Sequence, residues 1–167
     1  MNSKVLIVMG SDSDLPLMEA CMDRLDAFDI AWEATICSAH RSPDRAADLA
    51  KNAAQRGFDV IIAAAGLAAH LPGVLAAFTT LPVIGVPLAV GPLQGVDALL
   101  AEVQMPTGIP VATVAINGAA NAAILSAQIL ALSDEQLQNK LIAFKSELTE
   151  GVNVKNKRLQ DKLNNRL

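Results

Sequence analysis

The segment Ser38-Ala39-His40-Arg41-Ser42-Pro43-Asp44 sets one of the chain's two histidines beside an arginine, where an apolar run gives way to a helix start. An imidazole takes or gives a proton near neutral pH, with a reference pKa of about 6.5. A guanidinium carries a fixed positive charge suited to phosphate or carboxylate. The other histidine lies in Gly66-Leu67-Ala68-Ala69-His70-Leu71-Pro72-Gly73, again after an apolar run. A third polar segment, Gly10-Ser11-Asp12-Ser13-Asp14, follows Val5-Leu6-Ile7-Val8-Met9 and opens a helix. Serine hydroxyls and free N–H groups at such a helix start suit an anion, whereas the aspartates oppose one and suit sugar hydroxyls. Read locally, this segment is first of all an N-cap.

Local sequence leaves His40 and Arg41 open between an acid–base site and a structural histidine beside a surface ion pair. His70, set among Ala and Leu, reads more readily as a satisfied structural residue. Cys37 is a conceivable nucleophile but fits better as a small buried residue, and Cys21 and Cys37 form no disulfide or metal pattern. Two histidines with no acidic or cysteine cluster make no metal site. Neither a Gly-x-Gly-x-x-Gly fingerprint nor a P-loop is present. Gly66 and Gly73 allow either close approach of backbone to a ligand or a tight turn.

The elements that must position these residues alternate. Apolar runs of strand length are Lys4–Met9, Glu33–Cys37, Val60–Ala64, Val83–Val86 and Val111–Ala115. Helical segments fall between them, at 15–28, 43–56, 71–79, 95–103 and 119–132. Runs without polar alternation predict a parallel sheet covered on both faces, wound by right-handed crossovers. Ser42 and Pro43 are expected to start the second helix and Gly57 to end it. Ser133 is expected to cap a last helix running from Asp134 to about Val152, with Leu137, Leu141, Phe144 and Leu148 on one stripe. The polar segment 153–167 is left open as helix, subunit contact or frayed end. In an open parallel sheet the ligand sits beyond the carboxyl ends of the strands, where all three polar loops would converge.

Bulk properties narrow the function. The 167 residues are 52% hydrophobic, 18% charged and 3% aromatic, with net charge −4. That suits one folded domain over residues 1–167, and the apolar excess predicts surface buried between copies. No basic stripe or aromatic platform supports nucleic-acid binding. Val60 to Val96 holds no Asp, Glu, Lys or Arg. Its prolines cut it below the roughly 20 residues of a membrane-spanning helix. Met1-Asn2-Ser3-Lys4 leads into a strand without a signal-peptide pattern, so a cytoplasmic location is expected.

Taken in order, Val8-Met9-Gly10-Ser11-Asp12-Ser13-Asp14, the His40 segment, Ala68-Ala69-His70-Leu71-Pro72-Gly73 and Val103-Gln104-Met105-Pro106-Thr107-Gly108-Ile109-Pro110-Val111 resemble the class I N5-carboxyaminoimidazole ribonucleotide mutases of purine biosynthesis. The resemblance runs from about Lys4 to Leu148. It implies an α/β flavodoxin-like three-layer fold, a homo-octamer, and carboxyl transfer to ring carbon 4 of a ribonucleotide with no cofactor or metal. It implies His40 as general acid/base, and Ser11, Asp14 and Arg41 as nucleotide-binding. Ser13 and Ser38 become neighbouring contacts, Ala39, Gly66 and Leu71 complete the substrate set, and His70 lines the site near the carboxylate or carbon dioxide. Two stretches depart from the pattern. Ala64 and Leu67 stand where many members carry glycine, and Ile116-Asn117-Gly118 lacks a short Gly/Lys-containing insertion. The class II relatives, which carboxylate aminoimidazole ribonucleotide directly, typically carry Lys for Arg41 and lack Ala-His-Leu-Pro-Gly. A non-catalytic nucleotide-binding module is the alternative from outside enzymology, since fold alone permits it.

Overall fold

A computed structural model describes residues 4–166. Met1-Asn2-Ser3, where no signal-peptide pattern was read, and Leu167, the end of the polar segment, lie outside the described residues. The order is β1 (Lys4–Met9), α1 (Leu15–Ala27), β2 (Ala31–Ile36), α2 (Pro43–Asn52), β3 (Val60–Gly66), α3 (Leu71–Ala76), β4 (Val83–Leu88), α4 (Val96–Val103), β5 (Ala112–Thr113), α5 (Ala119–Leu130) and α6 (Glu135–Asn164). The five strands pair in parallel in the order β2-β1-β3-β4-β5. This is the flavodoxin-like order, and its direction reverses between β1 and β3.

Alternate side chains of the inner strands build two cores. Val5, Ile7, Val60, Ile62, Ile84 and Val86 pack against α1 and α5. Leu6, Val8, Ile61, Ala63 and Val83 pack against α2, α3 and α4. Both faces of β1, β3 and β4 are therefore dry, as their uninterrupted apolar sequences require. Alanines at 122, 123 and 127 let α5 lie close to the sheet.

Several boundaries and caps differ from the sequence expectation. β2 begins at Ala31 and is a half-exposed edge strand, not a covered one. Its Glu33 pairs with Lys4 and Arg56, charges that suit an edge. β5 shrinks to two residues at the other edge. α2 ends at Asn52, and Gly57 (φ 81°) instead forms the turn that follows. Ser42 sits at the N-cap of α2 but its Oγ donates to the Ser38 carbonyl at 2.9 Å, so it does not cap. α6 is capped by Asp134, whose Oδ1 accepts from Leu137 N at 3.0 Å, because Ser133 Oγ turns back to Leu130 O.

α6 also runs past Val152 through Asn164, so the polar segment is helical. Leu137, Leu141 and Phe144 pack on the α1–α5 core, with Phe144 edge-on to Phe28 at 5.6 Å. Leu148 and Val152 are exposed, so the helix has left the body by then. Among the described residues, no helix is long and apolar enough to cross a membrane.

Candidate functional site

The carboxyl ends of β1, β2 and β3 stand side by side where the strand order reverses, and each feeds one polar loop. After β1, Gly10 N donates to Ala64 O at 3.0 Å, holding this loop against β3. Ser11 caps a single 3-10 turn, Asp12–Asp14, that leads into α1. Its Oγ accepts from Ser13 N at 3.3 Å, while Asp14 Oδ2 accepts from Ser11 N at 2.9 Å. This reciprocal capping box ties both side chains to the backbone. Ser13 Oγ donates to Ser11 Oγ at 2.9 Å, and Ser11 Oγ donates to Asp12 Oδ1 at 3.1 Å. Asp14 is only 5% exposed. Burial pushes its carboxyl above the usual range, against the backbone N–H groups of Ser11 and Gly10, and the charge of Asp12 adds to the rise.

After β2, Ser38 organises the turn. Its carbonyl accepts from both Ser42 N and Ser42 Oγ at 2.9 Å, and its hydroxyl accepts from Arg41 N at 3.3 Å. The turn presents Ala39, His40 and Arg41 to the space above β1. Among the described residues Arg41 is paired with no carboxylate, which removes the surface-ion-pair reading. Cys37 is buried, with Sγ 3.6 Å from Ser42 Oγ, and so has the structural place expected of it.

After β3, the chain makes two tight reversals. Ala69 N donates to Leu67 O and His70 N donates to Ala68 O, both at 2.8 Å. Leu67 adopts φ 53°, the left-handed region that glycine enters freely and leucine does not. Gly66 admits no side chain, since a Cβ there would lie 1.9 Å from Val90 Cγ2. His70 occupies the N-cap of α3 without a side-chain cap bond. Its ring turns instead to His40. Nε2 of His40 and Nδ1 of His70 are 2.9 Å apart, with the rings edge-to-face at 5.0 Å.

These loops enclose a cleft of about 410 Å³. One wall is polar, made of Ser11, Ser13, Asp14, Ser38 and Arg41. The other is apolar, made of Ala65, Gly66, Leu67, Ala68, Leu71 and Val90. His40 and Ala39 line the same space. His70 is not among the lining residues and bears on the cleft through His40. Leu71 is a core residue that reaches the cleft from below. Such a division suits a ligand with an anionic, hydroxylated end and a flat or apolar end. Among the described residues, no three His, Cys, Asp or Glu side chains gather to hold a metal ion.

A larger depression of about 840 Å³ lies at the opposite end of the sheet, bordered by Asp29, Asp59, Asp134 and Lys140. It holds no histidine and sits where strands begin, not where open sheets of this kind bind ligands.

Sequence reasoning missed part of the site. Val90 comes from a fourth loop, after β4, and the end of any inner strand was signal enough to include it. Gly10, Ala65 and Ala68 also line the cleft but carry no chemistry that sequence could flag. Asn117 was read only as the place of a missing insertion. It takes φ 57°, accepts from Ala89 N through Oδ1 at 2.9 Å, and donates its own N–H to Pro87 O at 2.9 Å. It thereby ties the β5–α5 turn to the Val90 loop, a task that the Asn-Gly dipeptide announces.

Known proteins share this architecture and sequence. The crystal structure of Treponema denticola PurE2-S38D matches with a TM-score of 0.85 at 26% identity, covering 95% of this chain and 99% of that one. The N5-carboxyaminoimidazole ribonucleotide mutase of Pyrococcus horikoshii is 52% identical over 93% of this chain and 88% of its own length. That of Vibrio parahaemolyticus is 55% identical over 89% of this chain and 94% of its own. Residues 4–151 match the family model described as AIR carboxylase. The match spans every strand and all three loops that frame the cleft, and the chain belongs to the AIR carboxylase family.

Proposed function

We propose that this protein is an N5-carboxyaminoimidazole ribonucleotide mutase, moving a carboxyl group from the exocyclic nitrogen to ring carbon 4 and giving 4-carboxy-5-aminoimidazole ribonucleotide in purine biosynthesis. The observation that carries the reading is that His40 shares one cleft with the Ser11–Asp14 turn. A proton-transferring group thus faces the same space as a nucleotide-sized polar wall. Relatives half identical over nearly the whole chain bear the mutase name, which supports the reading independently.

The polar wall fixes the phosphoribosyl part. Arg41, Ser11, Ser13 and Ser38 meet the phosphate, and Asp14 meets ribose hydroxyls. The Ser11 and Ser13 hydroxyls now bond one another and exchange that bond for ligand oxygens at little net change. His40 then gives a proton to the carbamate nitrogen. The N–C bond breaks, releasing carbon dioxide and neutral aminoimidazole ribonucleotide. Carbon 4 attacks the carbon dioxide, and neutral His40 takes the hydrogen left on carbon 4, so protons balance over the cycle. Confinement replaces a bimolecular encounter, an advantage that reaches several kcal/mol for well-oriented groups. His70 is a positioning residue. Across the 2.9 Å contact one ring donates and the other accepts, so the tautomer of His40 is coupled to that of His70.

The working unit is an assembly of this single catalytic domain, a homo-octamer by resemblance, acting in the cytoplasm. Val96, Leu100 and Val103 recur at helical spacing along α4, Leu93 lies in the turn before it, and all four are about half exposed, an apolar surface that suits burial between copies.

The test is conversion of the labile carbamate substrate without ATP, followed by the product's ultraviolet absorbance. Fast turnover confirms the reading. Turnover only with aminoimidazole ribonucleotide plus carbon dioxide would make the protein a direct carboxylase. Tight binding with no conversion would make it a binding module.

A further inference from the structure

Leu67 combines three features that packing alone does not explain. It stands in the left-handed backbone region at φ 53°, where a leucine is strained. It is 51% exposed although large and apolar. It lines the cleft nonetheless, so it forms part of the rim. Its side chain also has a fixed partner. A Cβ on Gly91 would lie 2.3 Å from Leu67 Cδ2, so the isobutyl group lies directly on the Gly91 backbone. Gly91 itself takes φ 74°. Leu67 therefore bridges the β3–α3 loop and the β4–α4 loop across the apolar side of the mouth, next to Val90.

The chemistry of the freed one-carbon fragment makes that location matter. Carbon dioxide has no charge and no dipole and accepts hydrogen bonds poorly. The polar wall of Ser11, Asp14 and Arg41 offers it nothing over water. Only an apolar enclosure that keeps water out holds it beside the ring, and the exposed member of that enclosure decides how leaky it is. We infer that Leu67, seated on Gly91, is the retention residue of the carboxyl transfer, closing the apolar half of the cleft over the freed carbon dioxide. The inference rests on the mutase reading above. The strain at residue 67 is then kept for function, since glycine would relax the backbone and open the wall.

Retention has a readout separate from rate. The full-length protein is given the carbamate substrate in medium containing 13C-bicarbonate and carbonic anhydrase. Two quantities are measured over the non-enzymatic blank: 13C incorporated into product, and aminoimidazole ribonucleotide released per product formed. The wild type should show little of either. Leu67→Gly and Leu67→Ala should raise both at least several-fold, and Leu67→Met should resemble the wild type. The unfolding midpoint of Leu67→Gly should be unchanged or raised, which separates lost retention from lost folding. Wild-type turnover with no greater leakage in Leu67→Gly and Leu67→Ala overturns the inference alone, as does equal leakage from Leu67→Met. A wild type that converts no carbamate substrate overturns the mutase reading, and the inference falls with it.

Discussion

The two ends of the sheet treat polar groups in opposite ways. Where the strands begin, charges are committed to the fold. Lys140 Nζ bonds Asp29 at 2.7 Å and the Phe28 carbonyl at 3.1 Å, Asp59 accepts from Lys4 N, and Asp134 caps α6. Where the strands end, Arg41 pairs with no carboxylate among the described residues, Ser11 and Ser13 bond each other and their own turn, and two histidines share a contact. The larger depression is thus the finished one and the smaller cleft the unfinished one. Groups that already have fixed partners stabilise, whereas groups whose bonds are weak or exchangeable remain available to a ligand.

Substitutions at the two ends should separate accordingly. The largest effect is expected from His40→Asn, which removes the proton carrier. Turnover should fall by about 10²–10⁴-fold. Substrate-analogue binding, measured by calorimetry, should persist. Near-native turnover would break the assignment. Arg41→Gln should weaken binding of a phosphate-bearing analogue by roughly ten- to a hundred-fold, in line with loss of a charge-assisted bond. The melting temperature should stay unchanged, because Arg41 holds nothing else in place.

Glu102 tests whether an unmet polar group must signal function. It lies on α4, 0% exposed, with neither carboxylate oxygen hydrogen-bonded. It serves neither end of the sheet. A Cβ on Gly85 would lie 2.4 Å from its Oε2, so the glycine makes room for it. Burial pushes its carboxyl up from 4.5 to about 9. The folded state therefore holds a proton that the unfolded state loses between those values, and stability falls as the pH rises through that window. Glu102→Met should raise stability by about 3 kcal/mol at pH 7, with the gain shrinking toward pH 4.5, in denaturant titrations at several pH values. Activity should hold. A gain that did not vary with pH would mean the group is not a buried neutral acid.

The smallest effect belongs to the finished end. Asp134→Ala should lower stability by about 1 kcal/mol through the lost cap. KM and kcat should be unaffected, as steady-state assays would show. An altered KM would blur the contrast between the ends.

The inner strands and the three loops are legible in the sequence because each has a local signature, an uninterrupted apolar run followed by polar or glycine residues. The edges are less so. β2 differs from the inner strands only by Glu33 and Thr35, β5 lies in an apolar run of its own, and pairing order is what shows that both lack a neighbour. The length of α6 was less legible because past Val152 the sequence is mostly polar and charged, and sparse apolar residues such as Leu159 and Leu163 lie exposed away from the body. In the cleft, Ser11, Ser13, Asp14, Ser38, Ala39, His40, Arg41, Gly66 and Leu71 come together as the loops suggested, and Leu67 joins them. The contact between His40 and His70 spans 30 residues and depends on strand adjacency. Local spacing cannot encode it, and so His70 looked structural. Val90 and Asn117 were missed although each has a local signal, the end of an inner strand for one and an Asn-Gly dipeptide for the other.

His70 sits at the start of α3, a helix of only six residues. A helix so short does not hold its own direction. It takes its tilt from Leu71 and Leu75, which are anchored in the layer beneath. The imidazole pair thus inherits its alignment from greasy side chains packed beneath it. Trimming either of those anchors should slow catalysis well before it melts the protein.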